Sequence, residues 1–191
     1  MKLILGSTSP FRKAILDKLG VAFETASPEI DETTLKNETP QQLVERLSIA
    51  KAKTVADRKE NALVIGSDQV AVIDGKIIGK PRTHENAVKQ LQAASGKAIT
   101  FYTGLCLYNS TTKTYQSEVV PFNVVFRDLT DQQIESYLKK EQPYNCAGSF
   151  KSEALGIILF ERLEGEDPNT LMGLPLIRLV KMLENEHFSI L

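Results

Sequence analysis

The stretch LVIGSDQVAVIDGKIIGKP, residues 63–81, decides how the chain is read. Leu63-Val64-Ile65 is a short, continuous apolar run of the kind that forms a buried strand, and Val70 to Ile73 resumes it. Gly66-Ser67-Asp68-Gln69 interrupts the run, and a glycine inside a strand pattern marks a bulge or a close approach of another backbone. Asp74-Gly75 is a two-residue hairpin signal that returns the chain through Lys76-Ile77-Ile78 to Gly79-Lys80-Pro81. A carboxylate at the end of a buried strand is costly unless paired or at work, which singles out Asp68. Lys51, Lys53 and Lys80 are further candidates, set against the ordinary role of a lysine as a solvated surface charge, and Lys80 stands out as a cation between a flexible and a rigid residue at the hairpin exit.

Outward from that hairpin, strands and helices mix without regular alternation. Lys2 to Leu5 reads as a strand; Ser9 caps and Pro10 opens a helix whose Phe11, Ile15 and Leu19 form one apolar face ending at Gly20. Ala22 to Ala26 suits a short second strand, followed by an acidic loop with Asp31 and Glu32. Thr39-Pro40 begins a helix running to about Arg58, with Leu43, Leu47, Ala50 and Lys51 or Thr54 on the helical period. Thr83 caps another helix, through Ala87, Leu91 and Ala94 to Gly96. Ala98 to Tyr108 and Thr114 to Phe126 are long strands, and Thr130 with Gln133 forms a capping box. Leu155 to Phe160 is expected as a buried strand and Leu174 to Leu183 as an amphipathic last helix. These elements imply a mixed α/β fold on a long twisted sheet, without repeats and without a domain boundary visible in composition.

At 191 residues, 42% hydrophobic and 25% charged, the chain has the composition of a soluble globular protein. Its net charge of −1, from 23 basic and 24 acidic residues, gives no field for nucleic acid or an anionic membrane, so anion binding must come from a local cluster. No apolar run approaches the ~20 residues of a membrane helix, and a cytoplasmic location is expected. Cys106 and Cys146 make neither a zinc pattern nor a disulfide framework, and His84 and His187 are far apart, leaving acid–base work to carboxylates and lysines. Asp31-Glu32 and Asp68 are the oxygen donors suited to a hard divalent cation such as Mg²⁺. Ser7-Thr8-Ser9 before Arg12 and Lys13 suits a phosphate site and equally an ordinary capped strand-to-helix turn.

Ser7-Thr8-Ser9-Pro10-Phe11-Arg12, Asp31-Glu32, Gly66-Ser67-Asp68-Gln69, Gly79-Lys80-Pro81 and Ala147-Gly148-Ser149-Phe150 occur in an order that resembles the Maf family of nucleoside triphosphate pyrophosphatases. The resemblance covers essentially the whole chain and is closest to the subgroup associated with 7-methyl-GTP. It implies one domain over residues 1–191, with an elongated mixed sheet flanked by helices and a cleft between two lobes, similar to inosine triphosphate pyrophosphatases. It also implies cleavage between the α and β phosphates of a nucleotide, a required divalent metal (Mg²⁺, Mn²⁺ or Co²⁺) and a homodimer.

By the same resemblance, Asp68 matches the general base and, with Glu32, the metal site. Ser7, Arg12, Lys51 and Lys80 match positions around the triphosphate. Phe11, Gln69 and Glu153 match the positions that select the base, which are Arg, Thr and Gln in pyrimidine-preferring relatives; Phe11 stands where close relatives can carry Trp. An aromatic face suits the cationic ring of 7-methylguanine, and a carboxylate accepts from its N1–H and exocyclic amine. Read without the resemblance, Phe11 is a core residue of the first helix and Glu153 a surface charge. A different class of function attached to the same family is regulation of septum formation, in which the pocket binds a nucleotide without essential turnover.

Overall fold

A computed structural model describes residues 1–191. In chain order the elements are β1 (Lys2–Leu5), α1 (Pro10–Leu16), β2 (Glu24–Thr25), α2 (Pro40–Ala56), β3 (Ala62–Ile73), β4 (Lys76–Ile78), α3 (His84–Ala94), β5 (Ala98–Asn109), β6 (Tyr115–Phe126), α4 (Asp131–Glu141), β7 (Phe160–Glu164) and α5 (Leu176–Asn185). The strands form one mixed sheet in the order β2-β1-β3-β5-β6-β7, with β4 paired to β3. Pairing is parallel for β1 with β2 and β3, and antiparallel for β3 with β4 and β6 with β7. No helix is long and apolar enough to cross a membrane.

The chain divides into two compact units whose segments interleave: Met1–Gln69, Tyr102–Val120 and Asp167–Leu191 in the first, Val70–Phe101 and Pro121–Glu166 in the second. In the first unit the sheet carries apolar side chains on both faces. Leu3, Leu5, Leu63, Ile65, Leu105 and Leu107 pack with α1 and α5, while Ile4, Val64, Cys106 and Tyr108 pack with α2. Burial pushes the Cys106 thiol up to about 12, so this cysteine is a core residue and not a nucleophile. In the second unit Phe101, Phe126, Phe150 and Phe160 make edge-on ring contacts with centroids 5.0–5.6 Å apart.

Most local signals act as the sequence implies. Thr39 and Thr130 each close a reciprocal capping box with the glutamine three residues on. Asp74 and Gly75 both take positive φ (49° and 75°), as a tight hairpin with the right twist requires.

Three expectations change. Residues 62–73 form one unbroken strand, so Asp68 sits within β3 rather than in an interruption. Leu155–Leu159 is a 3-10 turn, and the strand begins only at Phe160. Gly156 lies so close to the Lys151 carbonyl that the chain must fold back there, which leaves Ile157 and Ile158 about half exposed. Only Glu24–Thr25 of the expected 22–26 strand forms, paired with Ile4 and Leu5 of β1.

Candidate functional site

Side chains alternate along β3, and that alternation sorts the candidate residues. Leu63 and Ile65 belong to the core under α1 and α5, and Ser67 and Gln69 continue the same face. Val64 belongs to the core under α2, and Gly66 and Asp68 continue that one. A Cβ on Gly66 would run into the Ser48 carbonyl oxygen and the Ala52 nitrogen, so the missing side chain lets α2 lie directly on the strand. One turn along α2, Lys51 is thereby brought against Asp68.

Lys51 is buried, and its Nζ lies 2.7 Å from Asp68 Oδ1 and 2.9 Å from Glu32 Oε1. Oδ2 of Asp68 carries no hydrogen bond. Burial pushes the Asp68 carboxyl above the usual aspartate range; Lys51 and then Arg12 act in the opposite direction. Glu32 is the exposed member of the trio and reaches it from a loop that α2 straps down. Arg46 binds Glu38 through Nε (2.5 Å) and Nη2 (2.8 Å), and Nη2 also donates to the Thr33 carbonyl at 3.1 Å. This two-point contact holds the Glu38 carboxyl down to about 2.

On the opposite face of β3, Arg12 Nε and Ser67 Oγ both donate to the Gly173 carbonyl, each at 2.8 Å. Gly173 has φ +100° and ends the 3-10 turn Pro168–Met172. Burial lowers the Arg12 pKa from the usual arginine value, and Asp68 and Glu32 oppose that change, which ties Arg12 electrostatically to the trio. Ser7, buried at the end of β1, accepts from the Ser9 amide at 3.1 Å, while Ser9 Oγ accepts from the Arg12 amide and caps α1. The Ser7 hydroxyl proton stays available. β1 pairs with β3 no further than Leu5 with Ile65, so Ser67 to Gln69 have no β1 partner.

Gln69 donates through Nε2 to Thr103 Oγ1 (2.8 Å) and to the Thr170 carbonyl (2.7 Å). Phe11 is 49% exposed at the first turn of α1; its apolar face is therefore not core, which removes the packing role open to it in the sequence.

Lys80 and Glu153 belong to the second unit. The Lys80 side chain is exposed and makes no hydrogen bond or ion pair, but the carbonyls on either side of it are held by α3: Gln90 donates to Gly79 (3.0 Å) and Asn86 to Pro81 (3.1 Å). Glu153 is exposed on a turn tied to α4 at both ends. Glu141 binds Lys151 Nζ at 3.0 Å and the Leu155 amide at 3.2 Å, and the Tyr137 hydroxyl accepts from the Lys151 amide.

A divalent metal fits the first-unit cluster by its donors. Glu32 and Asp68 converge on the Lys51 ammonium and both are oxygen ligands, but no third His, Cys, Asp or Glu joins them, so the protein offers two ligands and no complete cage. Two carboxylates completed by phosphate oxygens and water suit a hard ion.

Gly173, Ser67, Thr103 and Thr170 are the contacts that sequence reading misses. Gly173 was signalled only by its place after an Asp-Pro-Asn turn, and nothing local marks Thr103.

A family model described as "Maf-like protein" matches residues 2–186. A relative from Colwellia psychrerythraea, named 7-methyl-GTP pyrophosphatase, is 59% identical over 189 residues, covering 99% of this chain and 94% of its own length. Two solved structures also overlap it: a Ham1 protein of Staphylococcus aureus (13% identity, TM-score 0.47, 67% of this chain and 73% of that one) and a HAM1 protein of Coxiella burnetii (14%, 0.45, 66% and 73%).

Proposed function

The chain belongs to the Maf family, and from that premise we propose that it hydrolyses 7-methyl-GTP to 7-methyl-GMP and pyrophosphate, removing a modified nucleotide before it can enter RNA. The observation that carries this reading is the trio of Lys51, Asp68 and Glu32 with Arg12 in its field. Phosphoryl transfer depends on positioning and on neutralising charge, and these residues supply both without a covalent nucleophile.

Lys51 holds Oδ1 of Asp68 and leaves Oδ2 to orient a water and take its proton as the water oxygen attacks the α-phosphorus. The α–β bridging P–O bond breaks, and its electron pair leaves with pyrophosphate. A carboxyl raised by burial is a stronger base than a solvated aspartate, and a protein that only bound nucleotides would have no need of one. Arg12, Ser7 and Lys51 are the proposed donors for triphosphate oxygens, and Lys80 is a further donor that the family resemblance implies. Glu32 and Asp68 are the ligands for a divalent ion, which when bound supplies positive charge to the phosphate oxygens. Phe11, Gln69 and Glu153 act on the base: a ring face for the cationic purine, and acceptors for its N–H groups. A cytoplasmic location, where nucleotide pools are used, belongs to the same proposal.

The test is release of pyrophosphate, with Mg²⁺, Mn²⁺ or Co²⁺ supplied, from 7-methyl-GTP, GTP, dTTP and UTP. The reading expects 7-methyl-GTP to give the highest kcat/KM and pyrophosphate to be the product. Orthophosphate as product, or a preference for UTP, contradicts it.

A further inference from the structure

The Gln69 amide has no choice of orientation. Its Nε2 faces two oxygens, the Thr170 carbonyl at 2.7 Å and Thr103 Oγ1 at 2.8 Å. A carbonyl only accepts, so the amide atom against it must be the nitrogen. The Thr103 hydroxyl has one proton, which it donates to the same Thr170 carbonyl at 3.3 Å, so toward Gln69 it too accepts. Both N–H hydrogens of Gln69 are therefore committed inward. Its Oε1 has no hydrogen bond and is not among the buried unpartnered atoms, so the side chain shows solvent a carbonyl oxygen and no donor. Thr103 is fully buried on β5 and the Thr170 hydroxyl takes no part, being buried without a partner, so Gln69 is held by the Thr103 hydroxyl together with the Thr170 carbonyl.

We propose that Thr103 is a positioning residue that makes Gln69 an acceptor-only reader of the nucleobase. The proposal rests on the reading of Gln69 given above and extends it. A guanine edge offers two adjacent donors, N1–H and the 2-amino group, whereas uracil sets one N–H between two carbonyls. An outward amide that rotated freely would offer either group and serve both bases. Held by Thr103, it rewards only the edge rich in donors.

Thr103→Val removes the hydroxyl at nearly constant shape and releases one N–H of Gln69; Thr103→Ser keeps the hydroxyl. The ratio of kcat/KM for 7-methyl-GTP to that for UTP is expected to fall about tenfold in Thr103→Val, the discrimination carried by one hydrogen bond, and to stay within about twofold in Thr103→Ser. Side-chain amide protons of Gln69, assigned by their loss in Gln69→Glu, should exchange slowly in the wild type, and one of them rapidly in Thr103→Val. An unchanged ratio in Thr103→Val overturns the proposal, as does an equal fall for both substrates, which is what lost packing alone would give. If the protein turned over no nucleotide, the pyrophosphatase reading would fail, and the ratio of Kd values for the same two nucleotides would replace kcat/KM. Fast exchange of both amide protons in the wild type would overturn the proposal whatever the activity.

Discussion

Lys51 and Lys80 are assigned to the same substrate group, and the chain treats them in opposite ways. Lys51 is buried on α2 with its ammonium shared between Asp68 and Glu32, so its side chain is fixed and its charge already balanced. Lys80 is exposed and unpaired, and α3 fixes its backbone instead, through the carbonyls of Gly79 and Pro81. Glu32 and Glu153 repeat the contrast: the first is in an ion pair on a strapped loop, the second exposed on a turn anchored at its ends. The lesson is that the first unit builds its chemistry into its stability, whereas the second holds a frame that leaves Lys80 unpaired and Glu153 exposed, with only the neighbouring Ser152 hydroxyl on its carboxylate.

The contrast is broken most forcefully at Lys51. Lys51→Met strands two carboxylates, one of them buried, and should cost about 3 kcal/mol in chemical denaturation along with nearly all activity. Lys80→Met should stay within about 0.5 kcal/mol of wild type while KM rises. Equal losses for the two would erase the distinction.

Gly66→Ala tests the packing beneath the trio. The new methyl group meets α2 backbone atoms that cannot turn aside, so a loss of roughly 2 kcal/mol is expected, with turnover falling as Lys51 is pushed from Asp68. A neutral result would mean that α2 has slack to give.

Glu153→Gln sharpens the other half of the comparison. Stability should be unchanged, but the preference for 7-methyl-GTP over UTP should drop by about one order of magnitude, because an amide puts a donor where acceptors are wanted and removes a charge. A preference left intact would make Glu153 a plain surface charge.

The smallest effect concerns the strap under Glu32. The Glu38 carboxyl is lowered to about 2 by Arg46, so its contribution to stability is complete above the ordinary glutamate value near 4.5 and disappears as pH falls through about 2. The stability difference between wild type and Glu38→Gln should therefore be constant from pH 7 to 5 and shrink below 4.5. A difference that grows on acidification would give the pair the wrong sign.

Much of this was legible in the residues. Asp74-Gly75, the Thr130–Gln133 capping box and Gly66 act through local backbone rules, and each performs as its type demands. Leu155 to Phe160 was misread because an apolar run resembles a buried strand, and only the tight approach of Gly156 to the Lys151 carbonyl shows that the chain turns. Three of the four divisions between the units, at 69/70, 101/102 and 120/121, fall inside β3, β5 and β6, where no linker exists, and the fourth, at 166/167, falls in a short loop. Asp68 announced itself as a carboxylate at the end of an apolar run, although it lies within β3. Lys51 is a candidate for the triphosphate from the sequence, but its pairing with Asp68, like the lock on Gln69 through β5 and the Thr170 carbonyl, joins residues far apart in sequence and no local pattern encodes it.

The central claim is that the Asp68 carboxylate, held by Lys51, is the base. Its most direct test is single-turnover release of pyrophosphate from 7-methyl-GTP by Asp68→Asn, measured beside the Kd of the same nucleotide. The account predicts Kd within a few-fold of wild type and a rate lower by about 10³. Turnover within a few-fold of wild type would contradict it.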